Sequence, residues 1–403
     1  MKNFLRVFIF LITVNTYAQK EANYWYFGEN AGLDFSSGSP VVLTDGKLNT
    51  REGCSTISDK NGQLLFYSDG TTVWNKNHEV MKFTDGKLAT DLPGERPLFG
   101  NPSSTQSALV VPNPADSNIY YIFTVDHFGG NKGLTYYTVD ISKNGGLGEI
   151  IDGPIDLSDG KGSTWSEKVT AVQGDDCDTI WILSAVENEF YAYKITSTGV
   201  DQSNPIISTT NYTPVSKRGY LKVSPDGKKI AYADYLRGSN PNEYLVLYDF
   251  DNSTGKVSSN ALKLSNPNVD GGAYGVEFSQ QSNKLYASTY DGNNNKVYQF
   301  DLSYTSATDM TIHAIEVGDV SGGSLGAAQM GPDNRIYVAD LDEPYLHVIH
   351  DSNKLGVECS FKENYFLLSG ASSGITSEWG LPNGVSNHYF SPDRDVYYTN
   401  IYF

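Results

Sequence analysis

The sequence predicts an all-β fold, a seven-bladed β-propeller with four-stranded blades, closed by N- and C-terminal strands that share one blade. Three observations predict it. A polar turn followed by an apolar residue and an aromatic recurs seven times, and the copies are 50 to 61 residues apart. That interval is the length of a four-stranded blade. Composition agrees: of 403 residues 13% are aromatic, with 28 Tyr and 39 Gly, and Tyr suits pleated, half-buried surfaces.

Taken in order, residues 1–18 read as a secretory signal peptide. Lys2 and Arg6 precede a mostly apolar run over 7–14, and Thr16-Tyr-Ala18 offers a small-residue cleavage site before Gln19. The run is too short to span a bilayer, and no later stretch is long enough to. Residues 19–403 are then expected to form one propeller domain. Without Lys2 and Arg6 the 29 basic residues become 27, against 47 acidic, a net charge of −20. This argues against nucleic acid or an anionic membrane as partner, since both select basic patches. Cys54, Cys177 and Cys359 lie in different repeats without metal-ligand spacing, so they are expected to be unpaired.

The repeats are anchored on the first apolar residue after each turn: Leu65, Ile119, Ile180, Ile230, Leu285, Ile336 and Val396. The clearest copy is Val223-Ser-Pro-Asp-Gly-Lys-Lys-Ile230. There Pro sets φ for the turn, and Asp and Gly tolerate its remaining dihedrals. Third strands follow, as at 134–140, 190–195, 244–251, 297–301 and 345–351, with a weaker copy at 73–75. The seventh hairpin ends the chain with two strands. The segment 24–43 is expected to supply the outer pair of that blade, which closes the ring. Long connections, such as 83–103, 152–166, 235–242 and 364–383, are expected on one face, where binding residues usually sit.

Several runs carry a resemblance. They are Tyr24-Trp-Tyr-Phe-Gly-Glu-Asn-Ala-Gly-Leu-Asp-Phe35, Glu52-Gly-Cys-Ser-Thr-Ile-Ser-Asp59, Leu64-Leu-Phe-Tyr-Ser-Asp-Gly70 and Gly100-Asn-Pro-Ser-Ser-Thr-Gln-Ser-Ala108. The chain resembles the N-terminal propeller region of exported Bacteroidetes proteins of the type IX secretion, gliding-motility-associated kind. The resemblance implies export and a cell-surface, extracellular or periplasmic setting, and supplies no catalytic residues. Such proteins often carry a C-terminal sorting domain. None follows the last strand here, which leaves a periplasmic protein, another exit route or a shortened gene product as expectations.

Twelve or thirteen residues before each anchor lies the start of an innermost strand, beside the central channel. These positions hold Glu52, Gln106, Glu167 and Arg218, then Gly272, Gly323 and Asn383. One half of the channel mouth is thus expected to be polar and the other small, which suits a polar ligand. A structural alternative is an ion pair between Arg218 and Glu167 from neighbouring blades. Glu52 and Glu167 are also candidates for the two carboxylates of glycoside hydrolysis, although sequence gives no separation for them. Trp165 and Trp379 are expected in long connections, as stacking platforms or as local packing.

No Ser-His-Asp spacing, Walker loop or dinucleotide fingerprint is present. Ser158-Asp-Gly-Lys-Gly-Ser-Thr-Trp165 matches an Asp-box except that its Asp comes one position early, and reads as coincidence. Asp249-Phe-Asp-Asn-Ser-Thr-Gly255 starts like a calcium loop but has Thr254 and Asn260 where Gly and Glu belong. No metal or other cofactor is expected, beyond calcium held weakly there or at 291–295. The function expected is a non-catalytic module binding a glycan or protein, alone or within a surface assembly. The alternative is a glycosidase, lyase or lactonase working at the channel mouth.

Overall fold

The computed structural model describes residues 20–176, 178–236, 245–264, 272–289, 295–369 and 374–386. Seven small sheets are arranged in a ring, a seven-bladed β-propeller. Pairing within the sheets is antiparallel except for Lys82–Phe83, which runs parallel to Glu149–Asp156. Six of the predicted anchors fall on the second strand of their sheets, and the third strands lie at or within a residue or two of their expected bounds. The seventh hairpin, around Val396, lies outside the described residues.

Each first hairpin is built by its turn. In Ser224-Pro-Asp-Gly227 the Gly227 N–H donates to the Ser224 carbonyl at 2.8 Å, and the Ser224 hydroxyl accepts from Lys229 N at 2.9 Å. Gly227 sits at φ +68°, the left-handed region that the fourth residue of this turn needs. The same slot is filled by Gly62, Ser282 and Asn334, all with positive φ. Glycine and short polar residues are the types that tolerate it.

The blades differ from four equal strands: two sheets have three, two have four, and three have five. The extra strands are short outer segments. Lys82–Phe83, at the start of the long connection over 83–103, covers the edge of the next blade. Residues 24–43 supply three strands, Tyr24–Phe27, Ala31–Asp34 and Val41–Leu43. They sit between the first complete hairpin and the last blade. Tyr26 N donates to Thr56 Oγ1 at 3.0 Å, and the buried Trp25 ring meets Tyr337 edge-on at 5.6 Å.

The innermost strands are Ser55–Ser58, Ala108–Pro112, Trp165–Gln173, Leu221–Val223, Ala273–Phe278 and Leu325–Met330. The seventh place in the channel is taken by residues 374–386. Ala327 N donates to Trp379 O at 2.7 Å, Trp379 N to Arg51 O at 2.8 Å and Asn383 N to Cys54 O at 2.8 Å. Val385 forms a parallel bridge with Ala171. No helix among the described residues is long and apolar enough to cross a membrane.

Candidate functional site

Where the innermost strands begin, a cavity of about 240 Å³ opens, lined by Arg51, Glu52, Ser103, Arg218, Tyr235, Tyr274, Leu325 and Trp379. Glu52 is fixed by its neighbours. Gly53 N donates to Ser104 O at 3.0 Å, and Arg51 O accepts from Trp379 N. Gly380 packs so tightly on the other side that a Cβ there would sit 1.6 Å from the Glu52 carbonyl oxygen. This close approach brings Trp379 and Glu52 into one cavity.

Tyr274 owes its position to an irregularity. Register shifts between Ala273 and Gly275, so Tyr274 is the extra residue of a bulge at the mouth, and bulges redirect side chains. Similar shifts occur between Trp165 and Val169 and between Leu325 and Ala328. The Tyr274 ring meets Tyr235 edge-on at 5.3 Å and lies 6.1 Å from Trp379. Tyr235, Tyr274 and Trp379 thus form a continuous aromatic wall.

Arg218 is held by its backbone. The buried Lys168 ammonium donates to the carbonyls of Lys217 at 3.3 Å, Gly219 at 2.5 Å and Arg218 between them. Burial pushes the Lys168 pKa down to about 7, while three carbonyl acceptors favour the ammonium. The Arg218 guanidinium lies 5.2 Å from the ring centre of Phe128, a side chain 49% exposed. Among the described residues it makes no hydrogen bond or ion pair of hydrogen-bonding length.

Glu167 organises this side of the mouth. Its carboxylate accepts from Thr105 N at 3.0 Å, Thr105 Oγ1 at 2.8 Å and Phe128 N at 2.6 Å. The Arg218–Glu167 ion pair open in the sequence is not what forms; Glu167 binds the loop that carries Phe128, and Arg218 stacks on that ring. Glu52, 7% exposed, differs. Its Oε2 and the Tyr274 hydroxyl are both buried and face one another. Burial first, then the charge of Glu167, raises the Glu52 carboxyl well above its ordinary range. Arg218, the facing Tyr274 hydroxyl and Arg51 oppose that rise.

Of the residues selected from sequence, Glu52, Arg218 and Trp379 meet in the cavity, with Glu167 behind them. Gln106 is buried, its side-chain amide exchanging two hydrogen bonds with the backbone of Leu221 at 2.8 and 3.2 Å. Asn383 is buried inside the channel, donating from Nδ2 to Val169 O at 2.7 Å. Trp165 is the first residue of an innermost strand rather than part of a connection. It is 3% exposed, with Nε1 donating to Ser184 Oγ at 2.7 Å. Arg51, Ser103, Tyr235, Tyr274 and Leu325 were not singled out. Tyr274 and Leu325 lie two residues beyond Gly272 and Gly323, so the half expected to be small is the aromatic and aliphatic wall.

The turn at 249–255 uses its acidic oxygens locally: Asp251 accepts from Ser253 N, Ser253 Oγ and Thr254 Oγ1 at 3.0, 2.6 and 2.7 Å. Among the described residues no group of three or more His, Cys, Asp or Glu is placed to hold a metal ion. Of the loop at 291–295, only Asn295 is described.

No protein-family model matches the chain, and no curated protein matches it. Solved structures do. A Lactobacillus plantarum protein is 16% identical, with 89% of this chain and 98% of that one covered and a TM-score of 0.49. The β-propeller domain of Cps50 (Swd1) from Myceliophteria thermophila is 11% identical, covering 80% and 94%, at 0.43. A candidate 6-phosphogluconolactonase from Bacteroides uniformis is 14% identical, covering 81% and 85%, at 0.42. At these identities and TM-scores no activity or ligand passes from any of them to this chain.

Proposed function

We propose that the chain is an exported, non-catalytic binding module that holds one ring of a glycan in the cavity at the channel mouth. The observation that carries this is an aromatic wall sharing one cavity with the polar side chains of Glu52, Arg51, Ser103 and Arg218. Aromatic faces suit the apolar side of a sugar ring, and the polar groups beside them offer donors and acceptors to a hydroxyl-rich ligand. The volume is below the roughly 300–1,000 Å³ of a drug-sized pocket and suits a single small ring. The signal-like residues 1–18 and the resemblance to type IX, gliding-motility-associated proteins support export to the surface or periplasm.

A second reading is an enzyme with Glu52 as general acid, favoured by the same raised carboxyl pKa. Against the two-carboxylate mechanism stands Glu167, whose oxygens are occupied by Thr105 and Phe128. Calorimetry and turnover assays on a polysaccharide and lactone panel separate the readings. Binding without turnover is expected, and Trp379→Ala should weaken it about 30-fold, as for an aromatic anchor. Turnover abolished by Glu52→Gln would establish the enzyme instead. The exported protein should begin at Gln19; an unprocessed N-terminus would contradict export by this route.

A further inference from the structure

We propose that the ring held at the channel mouth carries a carboxylate: the site takes a uronic-acid unit of an acidic glycan, with that carboxylate on Arg218. This rests on the glycan-binding reading and adds the charge of the ligand.

Arg218 is the reason. It lines the cavity, its guanidinium has no ion pair among the described residues, and it is held in place from both ends. Lys168 fixes its backbone and Phe128 its side chain. A planar fork kept rigid and uncommitted matches a carboxylate better than a tetrahedral or neutral group. Neither nearby acid pairs with it directly. Glu167 is turned to Thr105 and Phe128. Burial and the charge of Glu167 raise the Glu52 carboxyl, against Arg218, Tyr274 and Arg51. The remaining groups facing Glu52 are Arg51 and Tyr274. Glu378, which shares Arg51, is itself raised to about 7, first by burial and then by Asp342. In a chain of net charge −18, a guanidinium without a direct ion pair beside an aromatic wall is a specific feature for an anion.

A pH dependence follows. Ionised Glu52 repels the ligand carboxylate, so affinity falls as pH rises through its raised pKa.

The test titrates the full chain calorimetrically with glucuronic, galacturonic and mannuronic acids, their methyl esters, the parent neutral hexoses and a 6-sulfated hexose. At least one uronic acid should bind about 10- to 100-fold more tightly than its ester and its hexose, as expected for a charge-assisted pair. Arg218→Gln should erase that preference without shifting the melting temperature, and Glu52→Gln should flatten the fall with pH. The comparison of acid with ester on the unaltered protein keeps the proposal testable if a variant fails to fold. Equal affinity for acid, ester and hexose overturns the carboxylate assignment and leaves the glycan reading standing. Tighter binding of the sulfated hexose than of every uronic acid also overturns it. No binding of any sugar overturns both.

Discussion

Glu378 lies one residue from Trp379 and two from Gly380, the glycine whose Cβ would collide with the Glu52 backbone. Its Oε2 is buried without a partner among the described residues. Burial, then Asp342, lifts its pKa from 4.5 to about 7. The folded protein therefore binds a proton there that the unfolded chain has released between those values. Where the native state binds more protons, stability falls as pH rises. The folded protein should lose stability between about pH 4.5 and pH 7, and Glu378→Gln should remove part of that loss. Denaturant midpoints at pH 5 and pH 8 for both proteins check this; an unchanged difference between the two pH values would refute it. Residues of this kind were hard to find from sequence. Glu52 and Arg218 stood out because counting back from each anchor reaches the same place in every blade. Tyr274 and Arg51 did not, because one depends on a bulge and the other on a contact with Trp379, and neither is written in local spacing.

Among the elements, the innermost strand Trp165–Gln173 does more than line the channel. Its Lys168 holds three carbonyls of the next blade's entry loop, and its Glu167 holds the loop bearing Phe128. Lys168→Met would leave the buried Gly219 carbonyl without its donor, at about 1–3 kcal/mol, while the Lys217 and Arg218 carbonyls keep the N–H groups of Glu167 and Tyr235. Part of that cost is offset because a dry ammonium is itself expensive. A net loss of about 1–2 kcal/mol is expected from these terms, with weaker ligand binding because the Arg218 backbone loses one of its supports. Chemical denaturation paired with titration measures both; a variant as stable as the parent would show that the Gly219 carbonyl finds another donor. The hairpins were legible because turn and alternation are local: a polar first residue, a positive-φ fourth residue, then apolar and aromatic positions. The number of strands per blade was not legible. Outer strands such as Lys82–Phe83 are short and are set by which edge they cover, which is a tertiary matter.

For the whole molecule, closure rests on residues 24–43. Trp25, Tyr26, Phe27, Leu33 and Phe35 are all buried there. Truncating one such aromatic typically costs about 3–5 kcal/mol, while a whole domain is held by only about 5–15 kcal/mol. Deleting 24–43 should therefore abolish cooperative unfolding rather than shift its midpoint. A truncated protein that melts like the intact chain would rule this closure out. The channel segment over 374–386 has a consequence of a different kind, in time. The hydrogen bond from Ser55 to Asn383 spans 328 residues, and contacts that distant form late because loop closure opposes them. The cavity lining runs from Arg51 to Trp379, so a chain still emerging from the ribosome has no complete pocket. A ligand of the kind proposed above would, by mass action, stabilise only those copies in which the circle has been completed.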